Sequence, residues 1–478
     1  MVDKMTLYNN DFLMSFEDLT KSTCGKVLFD FTGIHAFSSV AIDSRYAKEN
    51  SLFVPLRGRN QDGHLYIEDA LKNGALCFFA DKEFVDKNKV NIEVLCKNYK
   101  AACIEVKNNL KALQDASKFY LSKFPNLYKV GVTGSSGKTT TKEILFSIFS
   151  QKYKTVCNEG NLNSETGLPL SVFNVRADHE VGIFELGMNR KGEISETVNV
   201  LLPNAAIITN IGTSHIGILG TKQAIVEEKK EIFSKFTKEC VGFVPECEYT
   251  EFLKEVDEGD VSVYSKDNLP FVKGIEDLGL SGSKIFYKGE TIMFPLPGKH
   301  NLQNAFACIA LSERKGFSAI EIKKGLENVR AIFGRSQIIT GFTTCFFDCY
   351  NANPDSMNEA IEFCNSVKTE KSKHYVLGSM LELGKDSEKA HEDICVKLFS
   401  SDADFIYLFG DDIFEAGKKL DWVKNVFIFK TNEFEKLQNC LKNNLHKDDF
   451  VLLKGSRGLA LERLERVVKT GGGTDEDE

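Results

Sequence analysis

The octet TGSSGKTT, residues 133–140, narrows the possible folds more than any other stretch of this chain. It follows the apolar run YKVGV and leads into the amphipathic segment TKEILFSIF. Strand, glycine turn and helix in that order are what a phosphate-binding loop requires, because the turn aims backbone N–H groups and a helix N-terminus at one anion. The backbone of Gly134, Ser135, Ser136 and Gly137 can surround phosphate oxygens, and Lys138 can reach the outer phosphates. Thr139 can ligate magnesium, and Thr140 completes the run. A strict Walker loop has a glycine where this chain has Val132, so the loop is a variant with its glycine at Gly134. A glycine turn without a ligand is the bland alternative, and the agreement of strand, loop, GKT and helix weighs against it.

Such a loop implies a parallel sheet, and the apolar runs that follow fit one. VGIFELG and AAIITNIG are apolar throughout and separated by helical segments, as strands covered on both faces are. At 478 residues the chain has room for about three domains of about 150 residues each. Residues 1–126, with SLFVPL, ALCFFA and ACIEV, read as a small α/β domain, and 127–334 as the central phosphate-loop domain. KIFYKGETIMF reads as a hairpin turning at Lys288 and Gly289. From 335 to 478 a new series, TCFFDCYNANP, HYVLGSM, DFIYLFGDD, NVFIFK and DFVLLKGSRG, reads as a Rossmann-like domain. The acidic end, 470–478, reads as a disordered tail.

Composition removes several function classes. The formal net charge is −8, and four of the negatives lie in the terminal DEDE, so nothing suggests the basic surface that nucleic acid requires. The thirteen cysteines are scattered singly through mostly apolar segments, as in a reducing compartment. The N-terminus lacks a secretory pattern and no apolar run approaches the roughly 18 residues a bilayer span needs. A cytoplasmic protein is expected.

Two strands end in groups that suit a metal: Glu185 in IFELGMN and His215 in NIGTSHIG. Alone, Glu185 reads as a helix cap and His215 as a satisfied loop histidine. At the carboxyl ends of sheet strands beside a phosphate loop, they fit magnesium–nucleotide chemistry better. AIVEEKKEIF, residues 224–233, adds an oddity. If it is helical, Ile225, Val226, Ile232 and Phe233 surround Lys229, which puts a lysine in the middle of an apolar stripe, whereas Lys230 sits at its boundary.

Read in order, VTGSSGKTTTKEI, GNLNSETGLP, FELGMNRKGEI, NIGTSHIGILG, KKEIF, PGKHNLQNAFA, FDCYNANPDSM, VLGSMLELG and LLKGSRG resemble the Mur ligases over nearly the whole chain. The resemblance implies a three-domain α/β enzyme: a UDP-sugar-binding domain, a P-loop ATPase domain and a Rossmann-like ligase domain. YNANPDSM and LGSMLELG favour the member that adds D-alanyl-D-alanine to a UDP-N-acetylmuramoyl tripeptide, over its tripeptide-forming sister or a relative acting on another acceptor. A monomer is implied, and domain closure with hinges near residues 126 and 335 is expected.

The resemblance also implies roles. ATP and two magnesium ions serve as cofactors, with Thr139 and Glu185 on the first ion and His215 on the second. Lys229 takes the position of the family's carbamylated lysine, a carbamate made from CO2. Asn304 meets adenine, Arg335 phosphate and Asp348 ribose. Asn161 and Asn163 hold substrates near the γ-phosphate, Tyr350 and Asn351 lie on the substrate side, and Arg457 meets the dipeptide carboxylate. Ser44, Arg45, Asn60, Asp62 and His64 belong to the UDP-sugar side. Read without the resemblance, several of these are ordinary loop or surface residues. The chain departs from the pattern at Ser379, where Asp is usual, at Cys349, and at GFVPECEY, which replaces an NADDP-like strand end. The Ser379 change is expected to bear on domain closure or dipeptide contacts.

Overall fold

The computed structural model describes residues 12–58 and 61–471. They fall into two compact units, the first holding residues up to 131 with 153–188 and 192–204, the second 132–152, 189–191 and 205 onward.

In the first unit five strands lie in the order Lys26–Asp30, Ala102–Val106, Ala75–Asp81, Ser51–Phe53 and Ser39–Ala41. Lys26–Asp30 is antiparallel to its neighbour and the other pairs are parallel. The helix Lys82–Tyr99 starts where the Asp81 carboxylate accepts the Phe84 N–H and stops where Lys100 turns left-handed. It buries Val85, Ile92 and Cys96 in the core formed by Phe53, Phe78 and Cys103. Each such apolar side chain removed from water contributes about 2 kcal/mol. The strand Val181–Glu185 is buried at every position and pairs in parallel with Thr155–Cys157.

In the second unit Ala205–Ile208, Val241–Pro245 and Asp260–Tyr264 run parallel side by side. GFVPECEY thus supplies a strand even without the usual strand-end residues. The phosphate loop opens the helix Lys138–Phe149, against which Lys299–Arg314 and Ala319–Glu327 pack. Ser283–Tyr287 and Glu290–Phe294 form the expected hairpin, with Tyr287 opposite Glu290. Lys288 and Gly289 both take positive φ, 48° and 84°, as a two-residue turn matching strand twist requires.

The C-terminal sheet has the order Gln337–Thr340, Thr344–Phe347, Phe450–Lys454, Lys373–Gly378, Phe405–Phe409 and Asn425–Phe429. Only the Gln337–Thr340 edge is antiparallel. Apolar clusters cover both faces, around Met357, Ile394 and Ile406 on one and Leu437, Val451 and Leu464 on the other, as a doubly wound sheet needs. The helix Glu465–Thr470 reaches into the segment expected to be a disordered tail, and residues 472–478 lie outside the described residues. No disulfide joins any of the thirteen cysteines. Among the described residues no helix is long and apolar enough to cross a membrane.

Candidate active site

The phosphate loop is shaped by the segment that follows the strand Ala205–Ile208. Ser136 donates its N–H to Asn210 Oδ1 at 2.8 Å and accepts from Asn210 Nδ2 on its hydroxyl at 2.7 Å, while Thr209 Oγ1 donates to the Ser136 carbonyl. Ser135 Oγ accepts the Gly212 N–H at 2.9 Å, and Ser214 Oγ donates to the Ser135 carbonyl at 3.0 Å. Gly134 takes φ 153°, and a Cβ there would lie 1.8 Å from Thr209 Oγ1. The loop's glycine therefore sits where the neighbouring strand end leaves no room. Val132 is buried within the strand. Gly137, φ 76°, begins the helix with no side-chain cap, which suits an N-terminus that receives an anion. Lys138 Nζ donates to the Gly134 carbonyl at 2.8 Å, lying back across the loop.

Lys229 lies on the helix Lys222–Lys230 and is 1% exposed, with Ile225 and Val226 buried beside it. The α-helix ends at Lys230, so Ile232 and Phe233 complete the apolar surroundings from a 3-10 turn rather than from the same helix. No hydrogen bond or ion pair joins the Lys229 amine to another described residue. Burial, and then the charge of Lys138, hold its pKa well below the ordinary lysine range. Lys230 points elsewhere, its ammonium 4.0 Å from the centre of the Phe252 ring. His215 begins the short helix Ile216–Leu219 at φ 64°. Burial brings its pKa down to about 4, with Lys138 and Lys229 pushing the same way. The structure thus brings Lys138, His215 and Lys229 within electrostatic reach of one another.

Asn304 is buried beneath the loop, where a Cβ on Gly137 would come within 2.6 Å of its Oδ1. The Arg335 guanidinium stacks 4.0 Å from the Tyr350 ring centre and the Arg457 guanidinium lies 5.6 Å from it. Arg457 is also paired with Glu462 at 2.8 Å. Asp348 accepts from Lys454 Nζ at 2.5 Å and from the Ser336 N–H at 2.9 Å, so both its oxygens are engaged. Asn351 is exposed.

Glu185, Asn158 and Asn163 belong to the first unit. Glu185 ends its strand buried, and Asn163 Nδ2 donates to its Oε1 at 2.6 Å. The Glu185 N–H goes to Asn158 Oδ1 at 2.9 Å, and Asn158 Nδ2 also donates to the Leu162 carbonyl at 2.8 Å. Asn161 is exposed. Around Ser44, Asp43 accepts both the N–H and the guanidinium of the exposed Arg45. The His64 ring has no exposed surface: it stacks on Phe84, meets Asp62 Oδ1 at 2.6 Å and lies 3.1 Å from Asn109 Nδ2. Asn60 lies outside the described residues.

Sequence reasoning passed over Thr209, Asn210, Thr213, Asn353, Asp355 and Glu382, although most lie inside the quoted motifs. Asn353 donates to Ser214 Oγ and Asp355 accepts from Thr213, tying the start of the helix Pro354–Ser366 to the loop before His215. For Thr213 and Asn353, two places from His215 and Asn351, that nearness was the available signal. Ser379 follows the strand Lys373–Gly378. It is 1% exposed, its hydroxyl accepts the Ile413 N–H at 3.1 Å, and it fills the space against Gly410, where a Cβ would meet it at 2.5 Å. Its hydroxyl thus helps to start the helix Asp411–Gly417.

Among the described residues no cluster of three or more His, Cys, Asp or Glu side chains could hold a metal by itself. The expected donors include a hydroxyl, Thr139, and a lysine that becomes an anion only when modified, so such a cluster is not what this chemistry calls for.

Three family models match: the Mur ligase family catalytic domain over residues 36–120, the Mur ligase middle domain over 132–312, and the Mur ligase glutamate ligase domain over 334–457. A relative from Treponema pallidum named UDP-N-acetylmuramoyl-tripeptide–D-alanyl-D-alanine ligase is 47% identical over 96% of this chain and 99% of its own length. A Bacillus subtilis relative of the same name is 31% identical over 95% of this chain and 96% of its own. Among solved structures, MurF from Acinetobacter baumannii superposes with a TM-score of 0.84 at 28% identity, covering 95% of this chain and 98% of that one. MurF ligase from Thermotoga maritima in complex with ADP gives 0.75 at 25% identity, covering 90% and 97%.

Proposed function

This chain belongs to the Mur ligase family, and from that premise we propose that it uses ATP to join D-alanyl-D-alanine to a UDP-N-acetylmuramoyl tripeptide. The carrying observation is the gathering of Lys138, His215 and Lys229 at the phosphate loop. A ligase of this kind must bring a substrate carboxylate against the γ-phosphate, and two anions meet only where positive charge is concentrated and fixed in advance: Lys138 would supply it directly, and His215 and Lys229, whose basicity burial lowers, through the cations they would hold. An oxygen of the tripeptide's terminal carboxylate attacks the γ-phosphorus, and ADP leaves with the electrons of the broken P–O bond. The dipeptide amine then attacks the acyl carbon, phosphate departs and the amine loses a proton. Peptide, ADP and phosphate result.

Each residue has a part in this. The backbone of Gly134, Ser135, Ser136 and Gly137, with Thr140, cradles the phosphates, and Lys138 swings from the Gly134 carbonyl to the outer ones. Asn304, Arg335 and Asp348 take the adenine, phosphate and ribose sides. Asn161 and Asn163 orient the tripeptide end, while Tyr350, Asn351 and Arg457 receive the dipeptide. Ser44, Arg45, Asn60, Asp62 and His64 serve the UDP-sugar. Thr139, Glu185, His215 and Lys229 would hold two magnesium ions, which when bound neutralise the phosphate charge.

A buried amine with depressed basicity is the reactive form for carbamylation: its lone pair bonds to CO2, one proton leaves, and the product is an anion suited to a hard cation. Magnesium use, carbamate, monomeric state, cytoplasmic location and the three-domain division at 126 and 334 all belong to this proposal. Protein given ATP, magnesium and UDP-N-acetylmuramoyl tripeptide should release phosphate only when D-alanyl-D-alanine is added, with a product of the ligated mass. Release without the dipeptide, or none with it, would sink the reading.

A further inference from the structure

His215 comes from the loop after Ala205–Ile208, yet its acidic partner comes from the turn after the strand Lys373–Gly378. Glu382 Oε2 lies 3.5 Å from His215 Nδ1, and that buried nitrogen has no hydrogen-bond partner. An orphaned ring nitrogen facing a carboxylate a few tenths of an ångström beyond bonding range is one small movement from a contact of about 2.8 Å.

The backbone around the pair is built to hold this approach. Glu382 takes φ 67°, an uncommon conformation for a residue with a side chain. A Cβ on Gly217 would lie 2.6 Å from the Glu382 carbonyl oxygen and 2.7 Å from the Gly384 nitrogen. The turn bearing Glu382 therefore rests directly on backbone two residues past His215, at a place where only glycine fits. The turn is fixed from behind as well. His391, with no exposed surface, accepts the Met380 N–H on Nε2 at 2.8 Å and donates from Nδ1 to the Ser387 carbonyl at 2.7 Å, and Leu381 donates its N–H to Ser456 Oγ at 2.9 Å.

We infer that Glu382 is a positioning residue for His215: its carboxylate accepts the Nδ1 proton and so fixes the tautomer whose free lone pair is on Nε2. A neutral imidazole has one donor and one acceptor nitrogen, and the hydrogen bond made by the first decides what the second can ligate. Because Glu382 lies in the turn after the strand Lys373–Gly378, the ligand face of His215 is complete only when that turn is seated on Gly217. The value of the pairing for a cation rests on the function proposed above. The pairing itself does not.

The test uses the full chain labelled with 15N-histidine, read by the ring-nitrogen shifts of His215 without nucleotide or metal and assigned by its absence from His215→Asn. The wild type should show the Nδ1–H tautomer. Glu382→Ala should move it towards Nε2–H, the form free imidazole prefers, and Gly217→Ala should do the same by lifting the turn. Glu382→Gln, whose amide oxygen still accepts, should keep Nδ1–H. In the phosphate-release assay Glu382→Ala should raise the magnesium concentration for half-activity about tenfold or more, with Glu382→Gln between it and wild type. An Nε2–H signal in the wild type, or an unchanged tautomer in Glu382→Ala, would overturn the inference. A tautomer shift in a protein that ligates nothing would uphold the pairing and defeat only the reading of function.

Discussion

Thr213 gives both its amide and its hydroxyl to one oxygen of Asp355, at 2.7 and 2.8 Å. The hydroxyl of the next residue, Ser214, accepts from Asn353, which also caps the helix Pro354–Ser366. The phosphate loop is thereby connected through Ser135, Gly212 and Ser214 to the first turn of a C-terminal helix. Hydrogen bonds to a carboxylate contribute about 1.5–3 kcal/mol each, more than neutral ones. Asp355→Ala should cost about 2–3 kcal/mol in chemical unfolding of the full chain. Asp355→Asn, which keeps one acceptor, should cost about half of that.

Lys229→Ala should lower activity by on the order of a hundredfold, the scale of losing one organised charge at a reacting phosphate. Added formate or acetate should restore part of it. Lys230→Ala removes only the contact over Phe252, worth about 1 kcal/mol or less, and should leave the rate within about twofold. Initial rates for the two variants, with and without added carboxylate, decide the matter, and the reverse ranking would show that the lysine at work is Lys230.

Gly137→Ala meets two obstacles, a φ of 76° and Asn304 Oδ1 at 2.6 Å. Neither the loop nor the buried amide can yield without moving the helix start. ATP affinity, followed by thermal shift with nucleotide, should fall by about tenfold or more, since a left-handed residue with a side chain costs about 1–2 kcal/mol before the collision is counted.

Glu359 supplies a pH dependence of stability. Burial raises its pKa from 4.5 to about 7, Lys454 opposes the rise, and Asp355, Asp348 and Glu362 add to it. The nearby His300 ring, 3.9 Å away, stays neutral in this range because burial holds its pKa at about 4. The fold thus favours the protonated carboxyl. Its contribution is complete below the unfolded value of 4.5 and is lost as pH rises through about 7. With 44% of the side chain exposed, solvent screens much of the effect. Glu359→Gln should flatten the fall in unfolding midpoint between about pH 5 and about pH 8. A wild-type slope that survives the substitution would assign it to another group.

Patterns of period and turn chemistry were legible in the sequence wherever a strand was apolar throughout. SLFVPL, ALCFFA, ACIEV, VGIFELG and the five C-terminal runs are all strands, and the Lys288–Gly289 turn was evident from its residues alone. Short or mixed strands were not legible. Thr155–Cys157 is three residues long, and Lys26–Asp30 and Asp260–Tyr264 carry charged residues that solvent accepts at a sheet edge. In the site, helical spacing placed Lys229 on the apolar stripe but not its burial, since a lysine there ordinarily snorkels to water, and two of its four apolar neighbours arrive through a 3-10 turn. The ties made by Asn210, Asp355 and Glu382 join residues 74, 142 and 167 positions distant in the chain. No local pattern encodes them.

The contact between Gly134 and Thr209 changes what counts as the motif here. With 1.8 Å available, any side chain at 134 requires a smaller residue at 209, so position 134 can change only if 209 changes with it. A search keyed to a glycine at 132 passes over this loop, since Val132 is simply part of the strand. The specification of the nucleotide cradle is divided between two strand ends, and half of it is written 75 residues downstream of the glycine it constrains.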